Sequence, residues 1–120
     1  MNEPYLYALV SIYVPEHFSS LTQLAGGLFI KEIRDGNTYA NGVLHSFNDQ
    51  PAVIGHDGAQ FWYQHGQLHR DHDLPAIVGL DGYQAWCQHG QGHRDNDKPV
   101  LILVDGSQWI WKRVLCRVVM

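Results

Sequence analysis

The sequence predicts a mainly β protein of 24-residue β-hairpin repeats, an antiparallel repeat sheet with one short N-terminal helix. Three observations predict it. Gly42, Gly66 and Gly90 lie 24 residues apart, as do His45, His69, His93 and Pro51, Pro75, Pro99. Asp57-Gly58, Asp81-Gly82 and Asp105-Gly106 keep step, with Asp35-Gly36 two residues out of phase. Gln60, Gln84 and Gln108 share a column, as do Trp62, Trp86 and Ile110.

Tyr5 to Val14, rich in β-formers, reads as the first strand, and Pro15-Glu16 opens the helix. Phe18, Leu21 and Leu24/Ala25 recur at helical spacing until Gly26-Gly27 ends it. Leu28 to Ile33, the Asp35-Gly36 turn and Thr38-Tyr39 form a shortened first hairpin. In the repeats each proline opens a strand, where the sheet tolerates its missing N–H. The Asp-Gly pair turns that strand, because a type I′ turn needs positive φ at both central residues. A second glycine turn (Asn41-Gly42, His65-Gly66, His89-Gly90) ends the returning strand, and a polar loop leads to the next proline. Val114 to Val119 is a β-rich closing strand. Residues 1–34 thus hold the N-terminal elements, 35–111 the repeats and 112–120 the cap, all in one domain.

A two-residue Asp-Gly turn fixes the faces. One face then carries Ala52, Ile54, His56, Ala59, Phe61 and Tyr63 in the first full repeat. Ala76, Val78, Leu80, Tyr83, Ala85 and Cys87 are their counterparts in the next, and Val100, Ile102, Val104, Ser107, Trp109 and Trp111 in the last. That face is the expected core. The opposite face offers Val53 with Trp62, Ile77 with Trp86 and Leu101 with Ile110, bordered by Gln60, Gln84 and Gln108. An apolar stripe of this kind is either covered by the helix or meets a partner.

Composition narrows the function. With 12 acidic and 8 basic residues the formal charge is −4, which speaks against nucleic-acid and anionic-membrane surfaces. No apolar run is long enough for a transmembrane helix, and Met1-Asn2-Glu3-Pro4 lacks a basic leader, so a cytoplasmic location is expected. Cys87 and Cys116 make no disulfide framework, and Cys87 is read as a buried, inert thiol. Lys112, Arg113 and Arg117 are read as a solvated edge.

The run Trp62-Tyr63-Gln64-His65-Gly66-Gln67-Leu68-His69-Arg70 resembles the repeats of the MORN-like class, with an aromatic pair, a glycine turn and a downstream histidine. The resemblance spans roughly residues 36 to 111 and departs from the pattern at Ser46, Arg70 and Arg94, where the class has glycine. It implies an extended hairpin array used for protein contacts and names no partner.

His69-Arg70-Asp71-His72-Asp73 and its echo His93-Arg94-Asp95-Asn96-Asp97 are the most chemical-looking segments. No kinase loop, Walker loop, dinucleotide fingerprint, Gly-x-Ser-x-Gly or His-Glu-x-x-His accompanies them. His65, His69, His72 and Asp73 have the donor types of a metal site. A catalytic or metal centre is needed once, however, whereas a structural device recurs in every repeat, so stacked His–Asp and Arg–Asp loop contacts are expected instead. The functional expectation is a non-enzymatic protein-binding module or inhibitor of phage, viral or bacterial accessory type, needing no cofactor. Its contacts are assigned to Trp62, Trp86, Ile110, Gln60, Gln84, Arg70 and Arg94. Self-association through open strand edges is a further expectation. The alternatives are a metal-dependent hydrolase or nuclease at the His65–Asp73 loop and a carbohydrate-binding module stacking sugars on Trp62 and Trp86.

Overall fold

The structure, a computed structural model, describes residues 17–24, 27–110 and 115–116. The expected strand Tyr5–Val14 and the residues Trp111, Lys112, Arg113 and Arg117 lie outside the described residues. The closing strand is described only at Leu115 and Cys116, where Leu115 bridges to Gln91.

The chain is mainly β, in antiparallel hairpins. Where a helix was expected, His17–Leu24 is a strand (β1) that pairs along its whole length with Gly27–Arg34 (β2), from His17 opposite Arg34 to Leu24 opposite Gly27. The spacing of Phe18, Leu21 and Leu24 fits a helix, but Ser19, Ser20 and Thr22 between them are poor helix formers and gain a full ladder by extending. β2 turns through Asp35 and Gly36, at φ 53° and 81°, into Asn37–Ala40 (β3). β3 turns through Asn41 and Gly42, at φ 50° and 85°, into Val43–Leu44 (β4). Both are type I′ turns, whose twist matches that of the strands they join.

Beyond β4 two kinds of hairpin alternate. Val53–Ile54 (β5) pairs with Gln60–Phe61 (β6), then Tyr63–Gln64 (β7) with Gln67–Leu68 (β8). Ile77–Val78 (β9) pairs with Gln84–Ala85 (β10), then Cys87–Gln88 (β11) with Gln91–Gly92 (β12). Leu101–Ile102 (β13) pairs with Gln108–Trp109 (β14). The first kind joins one six-stranded sheet in the order β14-β13-β10-β9-β6-β5, so its three Asp-Gly turns lie at the same end. The second kind uses type I′ turns at His65-Gly66 and His89-Gly90, with φ of 51° and 81°, and of 53° and 79°. Gly90 N–H bonds the second of these hairpins to the first at Leu68 O, 2.9 Å, and Gly66 N–H bonds the first to β4 at Leu44 O, 2.8 Å.

The Asp-Gly turns of the six-stranded sheet differ from the expected two-residue form. Gly55 N–H donates to Ala59 O at 2.8 Å and Leu103 N–H to Ser107 O at 2.9 Å, so three residues separate the paired positions. At these two turns only the glycine has positive φ, 88° at Gly58 and 87° at Gly106. This is a type I turn followed by a left-handed glycine bulge. The aspartate accepts the N–H two residues on, Asp57 from Ala59 at 3.0 Å and Asp105 from Ser107 at 2.9 Å. The middle turn also spans three residues, Gly79 N–H donating to Tyr83 O at 2.8 Å, but there Asp81 has φ 58° as well as Gly82 at 89°.

One extra residue in each turn sets Val53, Ile77 and Leu101, rather than Ile54, Val78 and Ile102, opposite Phe61, Ala85 and Trp109, while the expected core residues Ala52, Ala76 and Val100 at the strand starts are buried. A single row of opposed residues, Val53, Phe61, Ile77, Ala85, Leu101 and Trp109, crosses the sheet. The core is Ala59, Phe61, Leu68, Ala76, Ile77, Ala85 and Cys87, with Val53, Tyr63, Tyr83, Leu101 and Cys116 against it. The expected core positions on the returning strands β6 and β10 are therefore met, while Ile54, Leu80 and Val104 stand outside at 57%, 54% and 62% exposed. Trp109 is exposed as well.

Cys87 and Cys116 are joined in a disulfide with Cα atoms 6.5 Å apart, which replaces the expected free, inert thiol. Gly90 O accepts the Cys116 N–H at 2.8 Å, so backbone pairing brings the two cysteines together.

Candidate functional site

The polar loops carry the side chains singled out by sequence. Each loop turns on two left-handed non-glycine residues: Asn48 and Asp49 (φ 54° and 56°), His72 and Asp73 (66° and 57°), Asn96 and Asp97 (62° and 54°). Asparagine and aspartate tolerate this conformation because their short polar side chains bond locally, and histidine is enriched there too. That accounts for His72 sharing a column with Asn48 and Asn96.

Trp62 and Trp86 are buried at 5% and 6% exposed, so of the two readings of the aromatic stripe the covered one holds at both, without the helix expected to cover it. Each indole N–H donates at 3.1 Å to a carbonyl of the preceding loop, Trp62 to Asp49 O and Trp86 to Asp73 O. Each ring is covered by an arginine, Arg70 at 3.7 Å from the Trp62 centroid and Arg94 at 3.9 Å from that of Trp86. Arg70 grips Asp49 through Nε at 3.0 Å and Nη2 at 3.1 Å, and its Nη1 donates to Pro75 O at 3.2 Å. Arg94 does the same with Asp73 at 2.8 and 3.4 Å and with Pro99 O at 3.1 Å. Lys98 adds a third donor to Asp73 at 3.1 Å. These donors hold the Asp49 and Asp73 carboxyls below the usual carboxylate range, through Arg70 at Asp49 and through Arg94, then Lys98, at Asp73. Arg70 and Arg94 thus lock loop to loop, each with three hydrogen bonds.

The histidines show a second recurrence. His45 Nδ1 accepts the His65 N–H at 3.1 Å, and His69 Nδ1 accepts the His89 N–H at 3.0 Å. An accepting Nδ1 is bare, so the proton of neutral His69 lies on Nε2, which donates to Asp71 at 2.8 Å. His93 Nε2 makes the same contact with Asp95 at 3.1 Å. The bond from His69 holds the Asp71 carboxyl below its ordinary range. At the corresponding position His45 has Phe47, with ring centroids 5.1 Å apart.

An open cleft of about 420 Å³ runs beside these loops, lined by His45, Asp49, Trp62, His65, Arg70 and His72 among others. Its histidines do not converge on a metal. Among the described residues no group of three or more His, Cys, Asp or Glu side chains is placed to hold one. Of the expected set, His69 is engaged at both ring nitrogens and Asp73 by Arg94 and Lys98.

Of the expected contact residues, Trp62 and Trp86 are buried, Arg70 and Arg94 are half-buried in ion pairs, and Gln60 and Gln84 are half-exposed. Ile110 is 55% exposed. Among the accessible apolar side chains are three that the sequence placed in the core, Ile54, Leu80 and Val104, at the Asp-Gly end of the six-stranded sheet; Ile30, Val43, Trp109 and Leu115 are exposed elsewhere. Leu80 and Val104 directly precede their Asp-Gly pairs, a position that His56 holds in the first full repeat, whereas Ile54 lies three residues before Asp57 in the column of Val78 and Ile102. No family model matches the chain, and no curated protein or solved structure matches it.

Proposed function

We propose that this chain is a protein-binding module of the MORN-like hairpin-repeat kind, whose contact surface is the apolar rim at the Asp-Gly end of the six-stranded sheet. One observation carries the reading. Ile54 at the end of β5, and Leu80 and Val104 as the first residues of their three-residue turns, are more than half exposed at the same end of one sheet, where hydrogen bonds hold the turn backbone. A rigid sheet that presents a row of apolar side chains has little ordering cost to meet on binding. The recurrence of the Trp–Arg–Asp contact 24 residues apart supports the repeat assignment. The role is occlusion of a partner's surface, an inhibitor's mode of action, with the charge of −4 favouring a basic partner. The Cys87–Cys116 disulfide favours an oxidising compartment over the cytoplasmic location expected from the sequence, since disulfides persist in oxidising ones.

The alternatives gain no support from the geometry. A metal-dependent hydrolase lacks converging donors among the described residues. A sugar-stacking site needs open indole faces, and guanidinium groups cover those of Trp62 and Trp86.

The test is affinity capture with the wild type, a Leu80→Asp/Val104→Asp variant and a Trp62→Phe variant, each checked for folding by near-UV circular dichroism. A partner bound by the wild type and Trp62→Phe but lost from the folded rim variant supports the rim. A partner retained by the rim variant overturns it.

A further inference from the structure

His45 occupies the seam between the four-stranded sheet β1–β4 and the rest of the molecule. Thr38 N–H donates across that seam to Ala52 O at 2.9 Å, and three successive residues after β3 add to it. Leu44 O accepts Gly66 N–H at 2.8 Å, His45 Nδ1 accepts His65 N–H at 3.1 Å, and Ser46 N–H donates to Tyr63 O at 2.7 Å. Ser46 Oγ also accepts the Tyr63 N–H at 3.0 Å. The middle bond is unlike its neighbours, because its acceptor is an imidazole nitrogen. Once Nδ1 takes up a proton it becomes a donor, and it then faces the donor of His65.

We propose that His45 is an acid-labile joint: neutral, it ties β4 to the His65-Gly66 turn, and proton uptake at Nδ1 breaks that tie and loosens the β1–β4 sheet from the β7–β8 hairpin. Four features favour this at His45. The residue is 6% exposed, so a charge formed there is poorly hydrated. The His65 ring lies 4.9 Å away, edge-on at 66°, and adds repulsion when both rings are charged. Phe47 fills the position at which Asp71 and Asp95 stand beside His69 and His93, and sets an apolar ring against His45, centroids 5.1 Å apart. From β2, Lys31 brings a further positive charge, its Nζ 4.9 Å from the Phe47 ring. The cleft that His45 shares holds Asp49, which Arg70 grips, Asp71, which His69 and Gln64 engage, and the imidazoles of His69 and His72. Burial, with His65 second, holds the His45 imidazole below its ordinary value, in agreement with the geometry.

His45→Asn provides the sharpest comparison, because the asparagine Oδ1 can stand where Nδ1 stood and accept the same N–H without titrating. Wild-type stability is followed by urea unfolding between pH 7.5 and 5.0. For one histidine kept neutral in the folded state the folding equilibrium falls by up to about 30-fold across that interval. The wild type is expected to lose stability more steeply than His45→Asn, by a factor approaching that limit. Equal pH dependence in the two proteins overturns the proposal. A second measurement needs no variant: imidazole and amide nitrogen NMR of the wild type. The expected result is a His45 Nε2–H tautomer at pH 7.5 and a His65 amide that shifts with the His45 titration. A His45 Nδ1–H tautomer, or a His65 amide indifferent to that titration, overturns the joint.

Discussion

Arg70 lies 3.7 Å from the centroid of the Trp62 ring, and the same guanidinium holds both carboxylate oxygens of Asp49. Arg94 repeats the arrangement on Trp86 and Asp73. The motif that most resembles chemistry in the sequence is a clasp between consecutive loops. An arginine suits it because its plane stacks on the indole while its edge fits a carboxylate, which an ammonium cannot do.

Arg70→Lys therefore lowers stability although it keeps the charge. Asp49 is largely exposed, so the ion pair contributes little by itself. The lost stacking and the Pro75 O bond together cost about 1–2 kcal/mol. Urea unfolding measures this, and an unchanged midpoint would remove the clasp from the stability account.

Reduction of Cys87–Cys116 is expected to destabilise the chain by about 2–4 kcal/mol, the usual range for a closed loop of this length. Unfolding with and without dithiothreitol measures it, alongside a Cys116→Ser control that should be insensitive to the reductant. Identical midpoints for the wild type in both conditions would show that no such crosslink forms.

His72 stands in a left-handed turn at φ 66°. His72→Asn should leave stability within about 0.5 kcal/mol of the wild type, whereas His72→Val should cost about 1–2 kcal/mol, because a β-branched residue resists positive φ. Thermal unfolding separates the two. A larger loss on His72→Asn than on His72→Val would reject the turn explanation.

The acid limb of stability has its own sign. Bonds from Arg70, His69, Arg94 and Ser107 hold Asp49, Asp71, Asp73 and Asp105 below the ordinary value of 3.8. A carboxylate depressed on folding contributes stability above its unfolded pKa and loses it as pH falls through the folded one. These four aspartates thus act below about pH 4, separate from the histidine window that begins near pH 6.5. Unfolding followed from pH 7.5 to 2 should show two descents, and Asp71→Asn should weaken only the lower one. One smooth descent unaffected by Asp71→Asn would contradict this.

Part of this fold was legible in sequence because glycine and proline mark turns by backbone conformation alone. The positive φ of Gly66 and Gly90 and the antiparallel hairpins around them were recoverable on that basis. The Asp-Gly pairs were ambiguous in a specific way. The same dipeptide serves a two-residue type I′ turn at Asp35-Gly36 and a three-residue bulged turn at Asp57-Gly58, and only the wider chain selects between them. β8 and β12 are two residues long, too short for any alternation to declare them. The Cys87–Cys116 bond joins positions 29 apart through pairing that local signals do not carry. Tryptophan invited a contact role at Trp62 and Trp86, yet an arginine eight residues on and a loop aspartate 13 residues back close over it.

Turn length decides which apolar side chains are buried and which form the rim, and adjacent residues on β9 test it most directly. Ile77 is 6% exposed and packs in the core, whereas Val78 lies on the other face of the strand. Equilibrium unfolding of Ile77→Ala and Val78→Ala reads the register. The three-residue turn predicts a loss of about 2–4 kcal/mol for Ile77→Ala and less than about 1 kcal/mol for Val78→Ala. The reverse order would restore the two-residue turn and bury the residues proposed here as the contact rim.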